Sequence, residues 1–566
     1  MPTPAGVTVR RRALLLVLVV VVGGSGVGVT ASLSVPGVAA AHAVLESTVP
    51  AAGSAVATSP PRVELTFGEP VTLPSAALRV FDASGDRVDA GPAHHPGGEG
   101  TEVSSSLPAL RDGSYVVAWK AISADSHPVS GAFTFSVGAA SGDASGLVAR
   151  YEDSGASRAV GVVHGAVRSV GYAAAALLIG GVALLLLCWP AGASSPRPRR
   201  WLRWAGVAGG VAALASIPLQ AAYGEGDGIG QVLDVPLWPE VVMGRFGWAA
   251  LARAAAFALG VALVSWLPRC RTAAWRAGAL ATALVIATSF ALAGHGATGR
   301  WPIAGVVLDV VHVLAVSVWL GGLVGLLAWV LRDADVASSI TATRRFSSVA
   351  LWSVVAIVVS GGLQGVRQVG WSWEGLTTTT YGRLLLAKVA LVLLVVLVAW
   401  ASRRRLAAVP AADEDRTVPA GASDARRALR RTVAWESAGL LVVLVLSAVL
   451  SVTVPAREAV DLPFDQVVRS GAASAQISVL PARTGTNEIH VTVFGGAIPD
   501  LAEVDVELRL PERDVGPIDV PMTKITSNHY LTDHAVVPLP GEWRMTVQAR
   551  VGDFDQDTFE VTVPVR

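Results

Sequence analysis

The stretch IAGVVLDVVHVLAVSVWLGGLVGLLAWV, residues 303–330, decides the fold of this chain. It carries one acid, Asp309, and one histidine, His312, in a run longer than the about 20 apolar residues that take an α-helix across a bilayer. Other runs of that kind lie at 162–188, 203–223, 246–267, 274–294, 347–366, 383–402 and 433–454, which makes eight predicted spans. A 566-residue chain that is 52% hydrophobic is too apolar for a soluble enzyme of this size. The lipid bilayer is therefore its first partner. A net charge of +1 gives no reason to expect a nucleic-acid partner.

The distribution of arginine orients the spans. Arg197, Arg199, Arg200 and Arg203 follow the first, and Arg269, Arg271 and Arg276 follow the third. Arg344 and Arg345 precede the sixth, and Arg403, Arg404, Arg405, Arg426, Arg427, Arg430 and Arg431 separate the seventh from the eighth. The alternate loops, near 224–244, 295–302 and 367–382, are poorer in arginine. Every second loop is thus expected in the cytoplasm, with both terminal regions outside the plasma membrane. Trp201, Trp204, Trp301, Trp371, Trp373 and Trp400 fall at span ends, where interfacial tryptophans belong.

Outward from the spans the pattern changes. Residues 1–41 read as a signal peptide: Arg10, Arg11 and Arg12 form a basic start, Ala13 to Val22 an apolar centre, and Ala39-Ala40-Ala41 a cleavage site. The alternative is an uncleaved anchor. Residues 42–138 alternate in the two-residue period of strands, as in Val63-Glu64-Leu65-Thr66-Phe67, and read as a small all-β sandwich. Residues 139–158 are a Gly, Ser and Ala-rich linker to the membrane region at 159–456. Residues 460–566 return to β character and read as a second sandwich outside the membrane. Cys188 and Cys270 are the only cysteines, so neither exported region has a disulfide or a thiolate metal site. No Gly-rich loop precedes a Lys-Ser/Thr pair, which argues against an ATP-driven pump.

Cleavage after Ala41 would make His42 the first residue. Its α-amine, with a pKa of about 8, and its ring would then chelate one metal ion near neutral pH. Asp125-Ser126-His127 offers a further oxygen and nitrogen, and nitrogen and oxygen donors in a tetragonal plane suit Cu(II). By itself an Asp-x-His triplet is better explained by a polar turn before the last strand. Within the membrane region, Asp309 and His312 are three residues apart, on one helix face, with Trp319 two turns further along. Ionisable groups inside a span are costly and face a cavity or a partner. His164 and His295 lie near the outer ends of the first and fourth spans, so His164, His295, Asp309 and His312 outline a candidate path from the outer surface. Hydrogen bonding of Asp309 and His312 to a neighbouring helix is the competing explanation, and Lys388 and Glu436 read as structural charges.

The exported region resembles the CopC family of copper-binding proteins. The resemblance is carried by His42-Ala43, Ser47-Thr48-Val49-Pro50, Leu65-Thr66-Phe67-Gly68-Glu69-Pro70-Val71 and Ser123-Ala124-Asp125-Ser126-His127-Pro128-Val129-Ser130-Gly131. It implies a Cu(II) site from His42, Asp125 and His127, with Glu69 nearby as a weak axial or supporting group. Some members carry a methionine-rich loop for Cu(I). Here the methionines are Met1, Met243, Met522 and Met545, none within 42–138, so a Cu(II)-only domain is expected. The membrane region resembles the CopD family through Gly294-His295, Asp309-Val310-Val311-His312, Ser317-Val318-Trp319-Leu320-Gly321-Gly322, Ser360-Gly361-Gly362-Leu363 and Tyr381-Gly382-Arg383. That family implies an eight-helix bundle and copper transport, generally uptake. The C-terminal region resembles YtkA-like sandwiches, with His490, His529, His534, Met522 and Met545 as residues that have no diagnostic spacing.

The sequence thus points to a copper-handling membrane protein of copper homeostasis or resistance, not an enzyme, with copper chaperones or cuproenzymes as further partners. The alternatives are copper sequestration or delivery at the outer surface without transport, and a haem- or quinone-linked membrane reductase, since intramembrane histidines also ligate haem.

Overall fold

The computed structural model describes residues 45–138, 158–407, 422–456 and 464–565, apart from positions 51–54, 75–76, 99, 124–127, 226–227, 298–300, 371–372, 452, 454, 472, 481, 495–500, 526–527 and 552–554. Its described residues divide into a helical unit, Ala159–Gln220 with Val241–Ala456, and a β unit, His42–Arg158 with Ala221–Glu240 and Arg457–Arg566.

The N-terminal part of the β unit is a two-sheet sandwich. One sheet runs β1 (Leu45–Val49), β3 (Arg62–Phe67) and β5 (Glu102–Ser106); the other runs β2 (Ala55–Val56), β7 (Pro128–Val137), β6 (Gly113–Ile122) and β4 (Leu78–Asp82). Alternation explains it: Val63, Leu65 and Phe67 on β3 are buried against Tyr115, Val117, Phe133 and Phe135 from the facing sheet, while the residues between them stay wetter.

The C-terminal part follows the same logic. A five-stranded sheet orders β13 (Thr523–Lys524), β14 (His529–Val537), β10 (Gly485–Phe494), β9 (Ala473–Leu480) and β8 (Phe464–Ser470). It shares one core with β12 (Val515–Val520), β11 (Leu501–Leu510), β15 (Gly541–Val551) and β16 (Asp555–Val565). Trp543 and Met545 are fully enclosed in that core, so Met545 is a packing residue.

The helical unit contains, among the described residues, eight helices long and apolar enough to cross a membrane. They are α1 (Arg158–Leu187), α2 (Pro196–Glu225), α3 (Arg245–Ser265), α4 (Ala273–Leu292), α5 (Pro302–Gly325), α6 (Val336–Val369), α7 (Thr380–Ala407) and α8 (Ala422–Leu450). A π turn at Leu326–Val330 continues α5. The predicted spans find all eight but start late on three: α2 begins at Pro196, α6 at Val336 and α8 at Ala422. Hydropathy sees only the part in lipid, whereas the helix continues into charged turns that water solvates. At the start of α6 the Asp335 carboxylate caps the helix by accepting from the Ser338 N–H at 2.8 Å.

The arginine-rich ends gather on one side of this unit. Arg197 pairs with Asp333, and Arg426 donates to the Ala334 carbonyl at 3.2 Å, which joins the starts of α2 and α8 to the α5–α6 turn. Small residues let helices approach: a Cβ on Gly180 of α1 would overlap the Ser317 carbonyl of α5, and one on Gly321 would overlap the Ala176 carbonyl.

Candidate metal centre

His42, Asp125 and His127 lie outside the described residues. The strands that flank them are described, and they end together. Leu45, where β1 begins, pairs with Phe67, where β3 ends, and Glu69 follows two residues later. The end of β6 is tied to the same stretch, because Thr72 and Ile122 exchange backbone hydrogen bonds of 2.8 and 2.9 Å. Ile122 pairs with Pro128, so the β6–β7 connection that carries Asp125 and His127 starts and finishes at that end of the sandwich. Phe67 and Trp119 close the core there, edge to face, with ring centroids 5.3 Å apart. Glu69 is half-buried in the bend after β3. The described start of β1, the bend that carries Glu69 and the two ends of the β6–β7 connection thus lie at one edge of the sandwich.

The helical unit gives its ionisable residues different company. Asp309 and His312 both face α6. The Asp309 carboxylate accepts from the Gln364 amide, which also donates to the Gly305 carbonyl at 3.1 Å. Arg367 donates to the Gln364 oxygen at 2.6 Å, so the guanidinium is linked to Asp309 through one amide. His312 Nδ1 lies 3.0 Å from the Ser360 hydroxyl, whose own hydrogen is used toward the Ala356 carbonyl at 2.6 Å. Ser360 Oγ therefore accepts from Nδ1–H, and the ring's lone pair is on Nε2, the arrangement of a neutral metal-binding imidazole held by an outer partner. Gly361 makes room for that ring: a Cβ there would stand 3.0 Å from His312 Cε1.

His295 begins a short 3-10 turn, His295–Ala297; its side chain lies outside the described residues. That turn packs on Asp309, since a Cβ on Gly296 would overlap the carboxylate. His164 of α1 is buried at 2% exposure, edge-on to Phe246 with centroids 6.1 Å apart. It lines a small cavity with Arg168, Arg253, Ser216, Phe290 and Ala293, the last two residues short of His295. Arg253 donates to the Ser289 hydroxyl and carbonyl at 3.1 and 3.0 Å and covers the Phe290 ring at 4.0 Å. Sequence reasoning singled out Asp309 and His312, quoted Ser360 only as a mark of the CopD resemblance without a role, and missed Gln364 and Arg253. The signal was there, as polar groups inside apolar runs, but their partners are 36 to 55 residues away in sequence. Glu436 accepts from the buried Ser402 hydroxyl at 2.8 Å, consistent with a structural charge.

Among the described residues, no three His, Cys, Asp or Glu side chains already converge as a metal cage. Comparison with known proteins bears on what the arrangement serves. Residues 45–138 match the CopC domain, 159–302 the N-terminal domain of copper resistance protein D-like proteins, and 340–450 copper resistance protein D. Over 548 residues, 92% of this chain and 95% of the relative, the sequence is 28% identical to copper transport protein CutJ of Bacillus subtilis. Over 118 residues, 19% of this chain and 89% of the relative, it is 36% identical to copper resistance protein C of Pseudomonas syringae pv. tomato. The crystal structure of CopC from Methylosinus trichosporium OB3b aligns at 34% identity over 17% of this chain and 93% of that one, with a TM-score of 0.16. The chain belongs to the CopC family through its N-terminal β domain, and joins that domain to the membrane modules of copper resistance protein D.

Proposed function

We propose that the protein captures Cu(II) outside the cytoplasmic membrane and passes copper inward through its helical unit, as a carrier and not an enzyme. The observation that carries this reading is similarity along 92% of the chain to a protein named for copper transport. Capture falls to the chelate of His42, completed by Asp125 and His127, with Glu69 adding negative charge beside them. The convergence of β1, β3 and the β6–β7 connection at one end of the sandwich supports this grouping. Clustering of the arginine-rich turns on one side of the bundle supports an orientation with both β domains outside.

The inward path runs past His164, His295, Asp309 and His312. The His295 turn abuts Asp309, and His312 follows one helical turn later. Two guanidinium groups beside His164 repel a bare cation, so His295 is the better first station after the surface domain. One observation favours the second reading, sequestration without transport: Asp309 and His312 are engaged by Gln364 and Ser360 and thereby help to join α5 to α6.

Copper accumulation in cells lacking the protein separates the two. Complementation with the native chain should raise internal copper, and His42→Ala and His312→Ala should each abolish the rise. If internal copper never changes in any strain while His42→Ala removes surface-bound copper, sequestration replaces transport. Purified chaperones or cuproenzymes added to the copper-loaded protein would then reveal delivery by removing its copper.

A further inference from the structure

The C-terminal sandwich brings together two histidines that lie 39 residues apart in sequence. His490 is on β10, where it alternates with the enclosed Ile489 and Val491 and so stands on the outer face of its sheet. His529 opens β14 opposite Thr492, diagonal to His490 on the same face. The imidazoles are nearly parallel, 14° between planes with centroids 5.4 Å apart, and His490 Nδ1 meets His529 Nε2 at 3.1 Å. On the far side of its ring, His490 Nε2 reaches the Glu488 carboxylate at 2.8 Å.

Proton accounting fixes the roles. A carboxylate only accepts, so His490 Nε2 carries the hydrogen and its Nδ1 turns a lone pair toward His529. His529 Nε2–H then completes the contact, and its Nδ1 is buried without a hydrogen-bond partner among the described residues. The strand start is held in place: the Val493 N–H donates to the Asn528 carbonyl at 3.0 Å, and the Asn528 amide returns a bond to the Val493 carbonyl at 3.1 Å. Two adjacent rings, one oriented by a carboxylate behind it, are what a metal requires of histidine ligands.

We propose that His490 and His529 form a second copper site of this protein, a two-coordinate one that takes Cu(I) between His490 Nδ1 and His529 Nε2. Two metal–nitrogen bonds of about 2 Å in line span about 4 Å, so the rings must part by about 1 Å. The partly exposed His490 ring makes that rotation on its solvent side and loosens its bond to Glu488. The bridging hydrogen shifts to His529 Nδ1, which leaves the two facing nitrogens to the metal. Zn(II) needs four ligands and Cu(II) a tetragonal set, and no third His, Cys, Asp or Glu side chain converges here among the described residues. A d10 ion content with two nitrogens fits. The choice of copper rests on the copper reading given above; the two-histidine geometry does not.

The test is an anaerobic Cu(I) titration of the purified full-length chain in detergent, competed with a chromophoric Cu(I) chelator, in a His42→Ala background that removes the surface chelate. His529→Gln and His490→Gln should each lower the bound Cu(I) by one equivalent per chain. His490 is the safer variant, since its side chain is 32% exposed and its loss opens no core. An unchanged near-ultraviolet circular dichroism spectrum would show that the fold is kept. If His490→Gln binds as much Cu(I) as its parent, the site is overturned, and cellular copper uptake decides separately whether the transport reading stands. If one equivalent is lost but no strain accumulates copper, the site stands and transport falls.

Discussion

The two β domains of this protein solve the same packing problem and place their polar chemistry differently. Each buries alternate residues of two sheets, around Val63, Leu65 and Phe67 in one and Ile489, Val491 and Trp543 in the other. In the N-terminal domain the candidate ligands are beyond strand ends: before Leu45, after Phe67 and between Ile122 and Pro128. In the C-terminal domain the histidines are within strands and bond to each other. A side chain beyond the ladder does not support the fold, so it is free to serve a ligand. One within the ladder is coupled to both.

The largest effect should come from breaking the first half of this contrast. His42→Ala removes a ring from a chelate, and losing even an outer partner of a metal ligand costs about 10- to 100-fold. Cu(II) affinity, measured by competition on the full-length chain, should fall at least about a hundredfold. The thermal midpoint without metal should stay put, because substitutions away from packed features change stability by about 0.5 kcal/mol or less. A His42→Ala chain that unfolds early would refute the idea that strand-end ligands are independent of the fold. His127→Ala should behave likewise.

The second half of the contrast predicts pH dependence. The His529 ring is held at about 4 by burial and by His490, against about 6.5 when unfolded. Between those values the unfolded chain binds the proton and the folded one does not. Stability from the neutral ring is therefore complete above about pH 6.5 and lost progressively as pH falls toward about 4, by up to about 1.4 kcal/mol per pH unit. Hydrogen exchange in β14 and β10 should accelerate over that window in the native chain. His529→Gln should flatten the response, whereas a profile that His529→Gln leaves unaltered would break the assignment. The N-terminal strands should respond less, having among the described residues no histidine within the sheet ladder apart from His94, which bridges to Ser104 at its margin.

How much of this was legible in the sequence depends on range. The eight spans were readable because hydropathy is a local property, and the β domains because strand alternation is local too. The ends of α2, α6 and α8 were not, since helical hydrogen bonding continues after the lipid stops. The pairings were least accessible. Nothing in the spacing of Asp309 reveals Gln364, or in that of His490 reveals His529, because one depends on helix packing and the other on strand register. In the sequence only the CopC resemblance relates His42 to Asp125-Ser126-His127; the structure adds that the described strands flanking them end together, through Leu45↔Phe67, Thr72↔Ile122 and Ile122↔Pro128. Apolar neighbours thus set where those strands end.

The smallest effect tests whether Glu69 belongs to the strand-end group as a ligand or as a nearby charge. It sits half-buried in the bend after β3, two residues beyond Phe67, which pairs with Leu45 at the start of β1. As a charge beside bound Cu(II) it contributes through space, about 0.5–1 kcal/mol in a largely wet setting, so Glu69→Gln should weaken Cu(II) binding only about two- to fivefold. That loss should shrink as salt rises, because the Debye length is about 8 Å at 0.15 M and about 3 Å at 1 M. A direct bond would behave otherwise: the loss would approach that of Asp125→Asn and persist in 1 M salt. Affinities of both variants at low and high salt therefore distinguish a neighbour from a ligand, and a salt-independent loss at Glu69 would enlarge the strand-end group by one member.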